Sequence, residues 1–445
     1  MRDDANAPVT FREALRVWTR IGLLSFGGPA GQIATMHRVL VEEKRWIGEA
    51  RFLHALNFCM LLPGPEAMQL ATYVGWLLHG TRGGVAAGLL FVLPGFFVIL
   101  ALSTLYALGS DLALVQTLFY GLKAAVFAVV VEALLRISRR ALKGRVHVAL
   151  AALAFVAIFA LGLPFPLIVL LAGLIGLAGV RAWPEVFAPA ANGGREADDS
   201  LAVGTSAPGE SRGLGRSVRV VAVWGALWAA PVLALAAGFG ADSIYPDIGV
   251  VFSQAAVVTF GGAYAVLAYM AQAAVDTLGW LKPGEMVDGL ALAETTPGPL
   301  ILVLTFVGYL AAFRDPGGVT PLLGGFIGAG LTTWVTFVPC FLWIFLGAPY
   351  IEALRHSRAL AGALTAITAA VVGVILNLTV WFGLHVVFRE VGEVAGIPWP
   401  VWGSVDWWAL ALSAGAMLAV LRFHVGIVWT LAGCAAAAVV VRMVL

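Results

Sequence analysis

Apolar runs of about 20 residues recur along the chain, and a run of this length can cross the hydrocarbon core of a bilayer as an α-helix. Short polar stretches separate the runs, and the pattern predicts about thirteen membrane segments. The segments cover residues 14–36, 52–79, 84–108, 112–135, 146–163, 164–182, 218–238, 248–275, 286–312, 319–347, 359–386, 405–421 and 424–443. We therefore predict an all-α polytopic membrane protein.

Composition agrees with this class, because 61% of the residues are hydrophobic and only 12% are charged. An average soluble domain carries about 25% charged residues. Residues 184–217 differ from the rest, being rich in Pro, Gly, Ala, Ser and charge, and are predicted to form a flexible linker. Three cysteines lie in apolar segments without CxxC spacing, which favours simple packing.

The two sides of the linker repeat each other. The stretch "SFGGPAG" begins at Ser25 and "TFGGAYA" at Thr259, 234 positions later, and Pro63 and Pro297 stand the same distance apart. A constant offset over independent landmarks indicates a duplicated unit. We predict a first repeat over 1–183, the linker over 184–217, an additional transmembrane helix over 218–240 and a second repeat over 241–445.

The charges of equivalent loops indicate that the second repeat is inverted. Residues 136–145, "RISRRALKGR", hold five basic residues, whereas their counterpart 388–406 holds one basic residue and three acids. Because basic loops stay in the cytoplasm, the first loop is predicted inside and the second outside, with a cytoplasmic N-terminus. An arrangement in which the first two segments are re-entrant also returns the basic loop 38–51 to the cytoplasm, and we favour it over full spanning.

Glycine and proline break the apolar segments at two kinds of place in each repeat. In "FGGPAG" and "LPGPEA" the glycines can unwind the helix and the following proline suits the start of a new one. Irregular backbone at membrane depth is tolerated where it lines a cavity, and a helix N-terminus carries partial positive charge. The breaks therefore predict an anion site, although glycines also serve simple helix packing.

The candidate residues of this site are polar side chains and backbone positions at the breaks, together with one membrane-embedded lysine. They are Ser25, Gly27, Gly28, Gln32, Gly64, Gln69, Lys123, Thr259, Gly261, Gly262, Thr295, Thr296 and Gly298, with Pro29, Pro63, Pro65, Pro297 and Pro299 as the helix-breaking prolines. Lys123 has a second interpretation, which is a structural pair with a nearby carboxylate.

Two glutamates next to the Pro-Gly-Pro motifs are candidates for coupling to protons. Glu66 follows Pro65 directly, and Glu294 precedes Pro297 by three positions, so the two are not equivalent in the repeat. A carboxylate in a dry site binds protons more readily, although Glu66 can also simply stabilise a helix N-terminus. The chain has no GxxxxGK[ST], HExxH or GxSxG motif, and we expect neither enzymatic activity, nor a cofactor, nor a metal site.

These motifs resemble the chromate ion transporter family in its long, two-domain form. The resemblance rests on "SFGGPAGQIATMH", "LLPGPEAMQLATYVGWLLHG", "TFGGAYAVLAYM" and "LAETTPGPLILVLTFVGYLAA". It implies secondary transport of chromate, with sulfate as a structural analogue, and chromate resistance by efflux. One departure is Ala263, which stands where the first repeat has Pro29.

The expected partners are a small oxyanion, the lipid of the cytoplasmic membrane, a coupling proton or counter-anion, and a second copy in a homodimer. No nucleic acid is expected. Two alternatives remain open: transport of sulfate or another oxyanion and, more remotely, an integral-membrane enzyme acting on lipid phosphates.

Overall fold

The computed structural model describes residues 9–26, 28–187, 213–260, 262–350, 357–394 and 396–444. Within these residues, six helices are long and apolar enough to cross a membrane, and further apolar helices are shorter. The prediction of an all-α polytopic membrane fold is confirmed.

The first half of the chain forms helices that follow the predicted segments, with two of those segments divided. The bounds are α1 Phe11–Leu24, α2 Gly28–His37, α3 Glu49–Cys59, α4 Glu66–Gly109, α5 Ala113–Ala141, α6 Arg145–Phe159, α7 Phe165–Ala182 and α8 Pro184–Phe187. A π-helical turn, Arg38–Glu43, continues α2. Helix α4 bends at His79 and Gly80, whose backbone angles are not helical.

The second half repeats this order after the connecting helix α9, Leu214–Phe239. The bounds are α10 Ile244–Val258, α11 Ala263–Ala271, α12 Pro283–Thr295, α13 Val303–Arg314, α14 Pro321–Gly347, α15 Arg358–Val387, α16 Trp407–Leu421 and α17 Ile427–Val444. A π-helical turn, Gln272–Thr277, continues α11, and a short 3-10 turn, Leu300–Leu302, precedes α13.

The repeat is visible in local backbone geometry as well as in motifs. The π turn Arg38–Glu43 recurs as Gln272–Thr277, at the offset of 234 that the glycine motifs show. The position of the bend in α4 corresponds to the loop between α13 and α14 in the second half. Extra residues in this loop raise the offset between equivalent positions to 245. Because π turns are uncommon, their recurrence at matching positions supports duplication independently of the motifs.

Several boundaries differ from the sequence prediction. The predicted linker begins with α8, and α9 begins at Leu214, before the predicted end of the linker; residues 188–212 lie outside the described part. Helix α4 begins at Glu66, one residue after Pro65. An antiparallel β-hairpin pairs Val391–Val394 with Ile397–Pro400 after α15, where only a loop was expected. This hairpin raises the offset of the last two helices to 262.

The chain divides into two compact units, each built from both repeats. Unit 1 comprises Met1–Ala101, Ala190–Ala263 and Thr296–Ser357. In its described part α14 packs against α13, α9 and α10. Glycines permit this close approach, since a Cβ on Gly328 would lie 2.3 Å from the backbone oxygen of Gly308.

Unit 2 comprises Leu102–Pro189, Tyr264–Thr295 and Arg358–Leu445. In it α15 packs against α5, α6 and α7, and α5 packs against α16 and α17. Here too small residues bring helices together, because a Cβ on Gly373 would lie 2.0 Å from the backbone oxygen of Ala151. Packing of this kind is typical of membrane helix bundles.

Candidate functional site

The helix breaks of the two repeats are joined by a reciprocal pair of backbone hydrogen bonds in unit 1. The N–H of Gly64 donates to the carbonyl oxygen of Thr259, and the N–H of Gly298 donates to the carbonyl oxygen of Ser25, both at 2.8 Å. Positions 25 and 259, and positions 64 and 298, are equivalent in the repeat. We call these four residues the crossing; its two hydrogen bonds are equivalent in the repeat.

The hydroxyl groups at the crossing bond to their own helices. Ser25 and Thr259 are fully buried, and their hydroxyls donate to the carbonyl oxygens of Ile21 and Ala255, one turn earlier. The N–H groups of Gly64 and Gly298 are also engaged, as the crossing itself. The glycine N–H groups therefore hold the two breaks together, and the two hydroxyls are satisfied within their own helices, because buried donors require partners.

Two buried glutamine side chains donate hydrogen bonds to backbone carbonyl oxygens at the breaks. Gln32, in α2, donates from Nε2 to the carbonyl oxygen of Gly298 at 2.5 Å. Gln69, in the first turn of α4, donates from Nε2 to the carbonyl oxygen of Pro63 at 2.6 Å, and its Oε1 has no hydrogen-bond partner among the described residues. The repeat-equivalent positions carry Val266 and Val303, so this amide chemistry occurs at one of the two positions in each case.

Glycine is required at the breaks because the backbone turns there with positive φ. The φ angles are +68° at Gly28, +117° at Gly64, +99° at Gly262 and +86° at Gly298, a region that side chains rarely adopt. At Gly64 a Cβ would also stand 3.0 Å from the sulfur of Cys340.

The prolines of the breaks lead into helix starts whose first N–H groups lack intrahelical partners. Pro65 precedes α4, and its carbonyl oxygen accepts from the N–H of Gln69. Pro299 occupies the equivalent place before the 3-10 turn, and Pro29 lies in the first turn of α2. Pro63 and Pro297 precede the two glycines of the crossing that donate. Gly27 and Gly261 lie outside the described residues.

Glu66 makes the surroundings of Gly262 chemically different from those of its equivalent, Gly28. It is the first residue of α4, and its Oε1 lies 3.6 Å from the place that a Cβ on Gly262 would take. At the equivalent glycine, Gly28, no atom of the described residues lies within 4 Å of such a Cβ, and the residue equivalent to Glu66 is the apolar Leu300. One of the two equivalent places therefore holds a carboxylate, while the other is open.

The remaining candidates in the second repeat lie around the end of α12. Glu294 is 2% exposed and accepts on Oε1 from the hydroxyl of Tyr264 at 2.9 Å, in unit 2. The side chain of Thr295 is exposed, with its hydroxyl bonded to the carbonyl oxygen of Leu292. Thr296 is buried and belongs to unit 1, directly before Pro297.

Lys123 has a carboxylate partner that the sequence interpretation did not identify. Its Nζ lies 3.3 Å from Oδ1 of Asp288, which is 4% exposed, and Oδ2 of Asp288 accepts from the hydroxyl of Tyr106 at 2.9 Å. The structure thus presents the structural pair that was the second interpretation of Lys123. Asp288 falls inside the predicted segment 286–312, so a search for charges within apolar segments could have found it.

The crossing is made of neutral dipoles: its hydrogen bonds come from backbone groups, hydroxyls and amides. Because these donors are engaged, the neutral groups left for an anion are the first-turn N–H groups of the helices that begin beside the crossing.

Comparison with known proteins matches both halves of the chain to one family. The family model described as chromate transporter matches residues 12–177 and 246–439. A chromate transport protein of Pseudomonas aeruginosa is 33% identical over 395 residues, which cover 84% of this chain and 81% of the relative. A chromate transport protein of Cupriavidus metallidurans is 29% identical over 374 residues, covering 83% and 82%.

A probable chromate transport protein of Synechococcus elongatus is 27% identical over 386 residues, covering 84% of this chain and 85% of the relative. No solved structure matches the chain significantly. The family match divides into two parts that fall within the two repeats.

Proposed function

This chain belongs to the chromate transporter family, and on that premise we propose that it is a secondary transporter that moves chromate out of the cell across the cytoplasmic membrane. Efflux of this kind would confer chromate resistance. An oxyanion is then the substrate, and the protein acts as a transporter rather than as an enzyme.

The crossing carries this proposal. Hydrogen bonds between Gly64 and Thr259 and between Gly298 and Ser25 fix two broken segments against each other within the membrane region. The helix starts beside them leave first-turn N–H groups without intrahelical partners, and such ends attract anions. A doubly negative tetrahedral anion matches several converging helix ends better than it matches one.

The proposed substrate site consists of the described candidates around the breaks. The residues that would form the site are Gly28, Gln32, Gly64, Gln69, Gly262 and Gly298. Those that would hold the surrounding backbone in place are Ser25, Thr259 and Thr296. The remaining candidates, which come from the sequence, are Gly27, Gly261, Thr295 and Lys123. Glu66 is proposed to couple anion movement to protons because its carboxylate lies beside Gly262, and Glu294 is the second candidate.

Alternating access follows from the duplication. The two hydrogen bonds of the crossing are equivalent, so a movement that opens one break towards one side of the membrane has a counterpart on the other side. We propose that access to the site alternates through movement of the two repeats, which cover 1–183 and 241–445. The linker over 184–217 and the helix over 218–240 connect them.

A cavity in unit 2 supports re-entrant arms. Its volume is about 570 Å³, and its lining includes Gly162 between α6 and α7, Asp276 in a π turn and Glu393 in the β-hairpin. We propose that the residues lining this one cavity face the same side of the membrane. Full spanning by segments 248–275 and 286–312 would instead put three crossings between Asp276 and Glu393, and hence opposite sides. We propose re-entrant arms, an external hairpin and a cytoplasmic N-terminus.

Sulfate is the alternative substrate because it shares the tetrahedral shape and double charge of chromate. Dipoles and amides of the kind found at the crossing recognise charge and shape, and both anions satisfy them. A homodimer in the cytoplasmic membrane, and a proton or a counter-anion as the coupled species, complete the proposal.

The experiment that tests the proposed function is uptake of labelled chromate into energised inside-out vesicles that contain this protein. Uptake that collapses when a protonophore dissipates the proton-motive force, and that resists modest amounts of unlabelled sulfate, is the expected result. Absence of chromate uptake together with robust sulfate flux would retain the anion site and overturn the substrate. Absence of both fluxes from correctly inserted protein would overturn the function.

A further inference from the structure

Asp288 is a buried carboxylate in an apolar part of unit 2, and it is only partly paired. Its Oδ2 accepts a hydrogen bond from the Tyr106 hydroxyl at 2.9 Å. Its Oδ1 lies 3.3 Å from the ammonium group of Lys123 but has no hydrogen bond among the described residues. A buried carboxylate held by one hydrogen bond and one ion pair at membrane depth is costly unless it serves a purpose.

The helix carrying Asp288 is shaped to receive the ammonium group. Gly284 precedes Asp288 by one turn of α12, and a Cβ on Gly284 would stand 3.0 Å from Nζ of Lys123. Residues four apart share a helix face, so the ammonium lies over the space that this glycine leaves. The side chain of Lys123 is 26% exposed and that of Asp288 is 6% exposed, so the lysine is the less buried member of the pair.

We propose that Asp288, held between Lys123 and Tyr106, is the group that carries a proton during the transport cycle, with Lys123 as its counter-charge. This inference rests on the proposed function and assigns its coupled proton to Asp288 in place of Glu66 and Glu294, the two candidates from sequence. The ionised pair has no net charge. A proton on Oδ1 neutralises the carboxylate and leaves the lysine ammonium uncompensated.

Protonation of Asp288 should therefore favour binding of the anion, and binding of the anion should favour protonation. The protonated state has one excess positive charge in the bundle, and an entering dianion compensates it; the ionised state offers no such charge. Binding of either species therefore favours binding of the other, by the same factor in both directions. One proton travels with each dianion, so that each cycle still moves one net negative charge outward, in the direction favoured by an inside-negative membrane potential.

The other charged groups near Asp288 already have partners. Helix α12 packs against α5, α15 and α17. On α5, Glu132 pairs with Arg136 at 2.9 Å. On α12 itself, Glu285 accepts from the N–H of Lys282 at 2.8 Å. From α17, Arg442 donates to Thr117 and to the carbonyl oxygen of Ala113. Helix α15 carries its ionisable groups, Arg358 and His385, at its ends, and Glu294 accepts from Tyr264.

The chain itself connects this pair to the crossing. Helix α12 ends at Thr295, and Gly298, which donates to Ser25, follows three residues later. This three-residue connection is the route by which separation of the Lys123–Asp288 pair would reach the second break. A static ion pair that only fastens α5 to α12 would have no such effect.

The test measures protons moved per chromate in proteoliposomes of the full-length protein, with a pH-sensitive dye trapped inside and the membrane potential clamped. The measurement is made at alkaline pH, where chromate is the dianion. The expected ratio is about one for the native protein and near zero for Asp288→Asn, whose chromate flux should also lose its pH dependence. Asp111→Asn, the same change at an exposed residue between α4 and α5, is the matched control.

Two further variants separate coupling from structure. If the pair is merely structural, removing both charges in a Lys123→Met, Asp288→Asn double variant should restore native flux and ratio, and that result would overturn the inference. If Asp288→Asn fails to insert, Tyr106→Phe removes one hydrogen bond and should shift the pH profile of transport; an unchanged profile would equally overturn it.

If the native protein moves chromate normally but no protons with it, the coupling role of Asp288 is overturned and the transport function is retained. Loss of both chromate and sulfate flux from correctly folded native protein is the separate failure of the proposed function.

Discussion

The backbone N–H of Gly64 donates to the carbonyl oxygen of Thr259 at 2.8 Å, joining the second break of one repeat to the first break of the other. The equivalent bond, from Gly298 to Ser25, has the same length. Breaks that would each leave polar backbone unsatisfied in lipid satisfy one another. This reciprocity explains how the chain tolerates two Pro-Gly-Pro interruptions at membrane depth.

Replacing either donor glycine of the crossing should impair transport. Gly64→Ala and Gly298→Ala force a side chain into positive φ, which costs about 1–2 kcal/mol, and at Gly64 the Cβ also meets Cys340 at 3.0 Å. We expect chromate flux to fall by about tenfold or more in each variant while the protein still inserts. Gly225→Ala, in α9, where a Cβ meets nothing within 4 Å among the described residues, is the control. Native flux in both variants would contradict the role of the crossing.

Gln32→Leu should weaken the first break without disturbing insertion. The amide of Gln32 is 1% exposed and donates to the carbonyl oxygen of Gly298, so its loss leaves a buried acceptor unpaired. Such a loss costs about 1–3 kcal/mol, and we expect a matching drop in chromate flux together with a lower unfolding temperature. Gln116→Leu, at an exposed position of α5, controls for the change of residue type. A variant with native flux and native stability would show that this hydrogen bond is dispensable.

Glu66→Gln should strengthen chromate binding and change its pH dependence. The carboxylate lies beside Gly262, where its charge opposes that of a dianion, and removing one unit charge at close range changes binding by about 1 kcal/mol or more. The apparent KM for chromate should therefore fall several-fold, and flux should respond less to pH. Glu49→Gln, at an exposed residue of α3, is the comparison. An unchanged KM would separate Glu66 from the anion site.

Gly28→Leu should block transport by filling the open space beside Gly28 at the first break. A Cβ at Gly28 meets nothing within 4 Å among the described residues, so a leucine side chain would extend into the space beside the α2 start, and positive φ adds strain. Flux should fall below detection while membrane insertion is retained. The measurement is labelled chromate uptake normalised to inserted protein, and native flux would show that the space is not used.

Asp406, in the loop before α16, should stabilise the protein in a pH-dependent way. Its Oδ1 accepts from the N–H groups of Trp408 and Ala409 as a helix N-cap. Burial raises the pKa of Asp406, but hydrogen bonds from the Tyr120 hydroxyl, the Ala409 N–H and Arg389 outweigh burial, and the pKa lies below its ordinary value.

Because the folded pKa is the lower one, this stabilisation is complete above the pKa of the unfolded chain, about 3.9, and is lost as pH falls through the folded value. Asp406→Ala should lower the free energy of unfolding by about 1–2 kcal/mol at neutral pH and less in acid. Thermal unfolding in detergent, with exposed Asp242→Ala as control, measures this. A pH-independent difference would show that the ionised carboxylate of Asp406 is not the source of the stabilisation.

Local sequence was sufficient for the class of fold and for the places where helices break. Apolar runs near the width of a bilayer predict the membrane segments, and Gly28, Gly64, Gly262 and Gly298 adopt the positive φ that glycine permits. The repeat is visible because duplicated residues keep their spacing. The β-hairpin after α15 was missed, since "EVGEVAGIPWP" is too short and too irregular to show an alternating pattern.

Only the tertiary structure decided which groups meet. Nothing in the sequence around Gly64 specifies Thr259 as its partner, nor does the apolar stretch around Lys123 specify Asp288, because these pairs lie far apart along the chain. Hydropathy and backbone preference act over a few residues. The choice of partner depends on which segments pack together and which buried polar groups then remain to be satisfied.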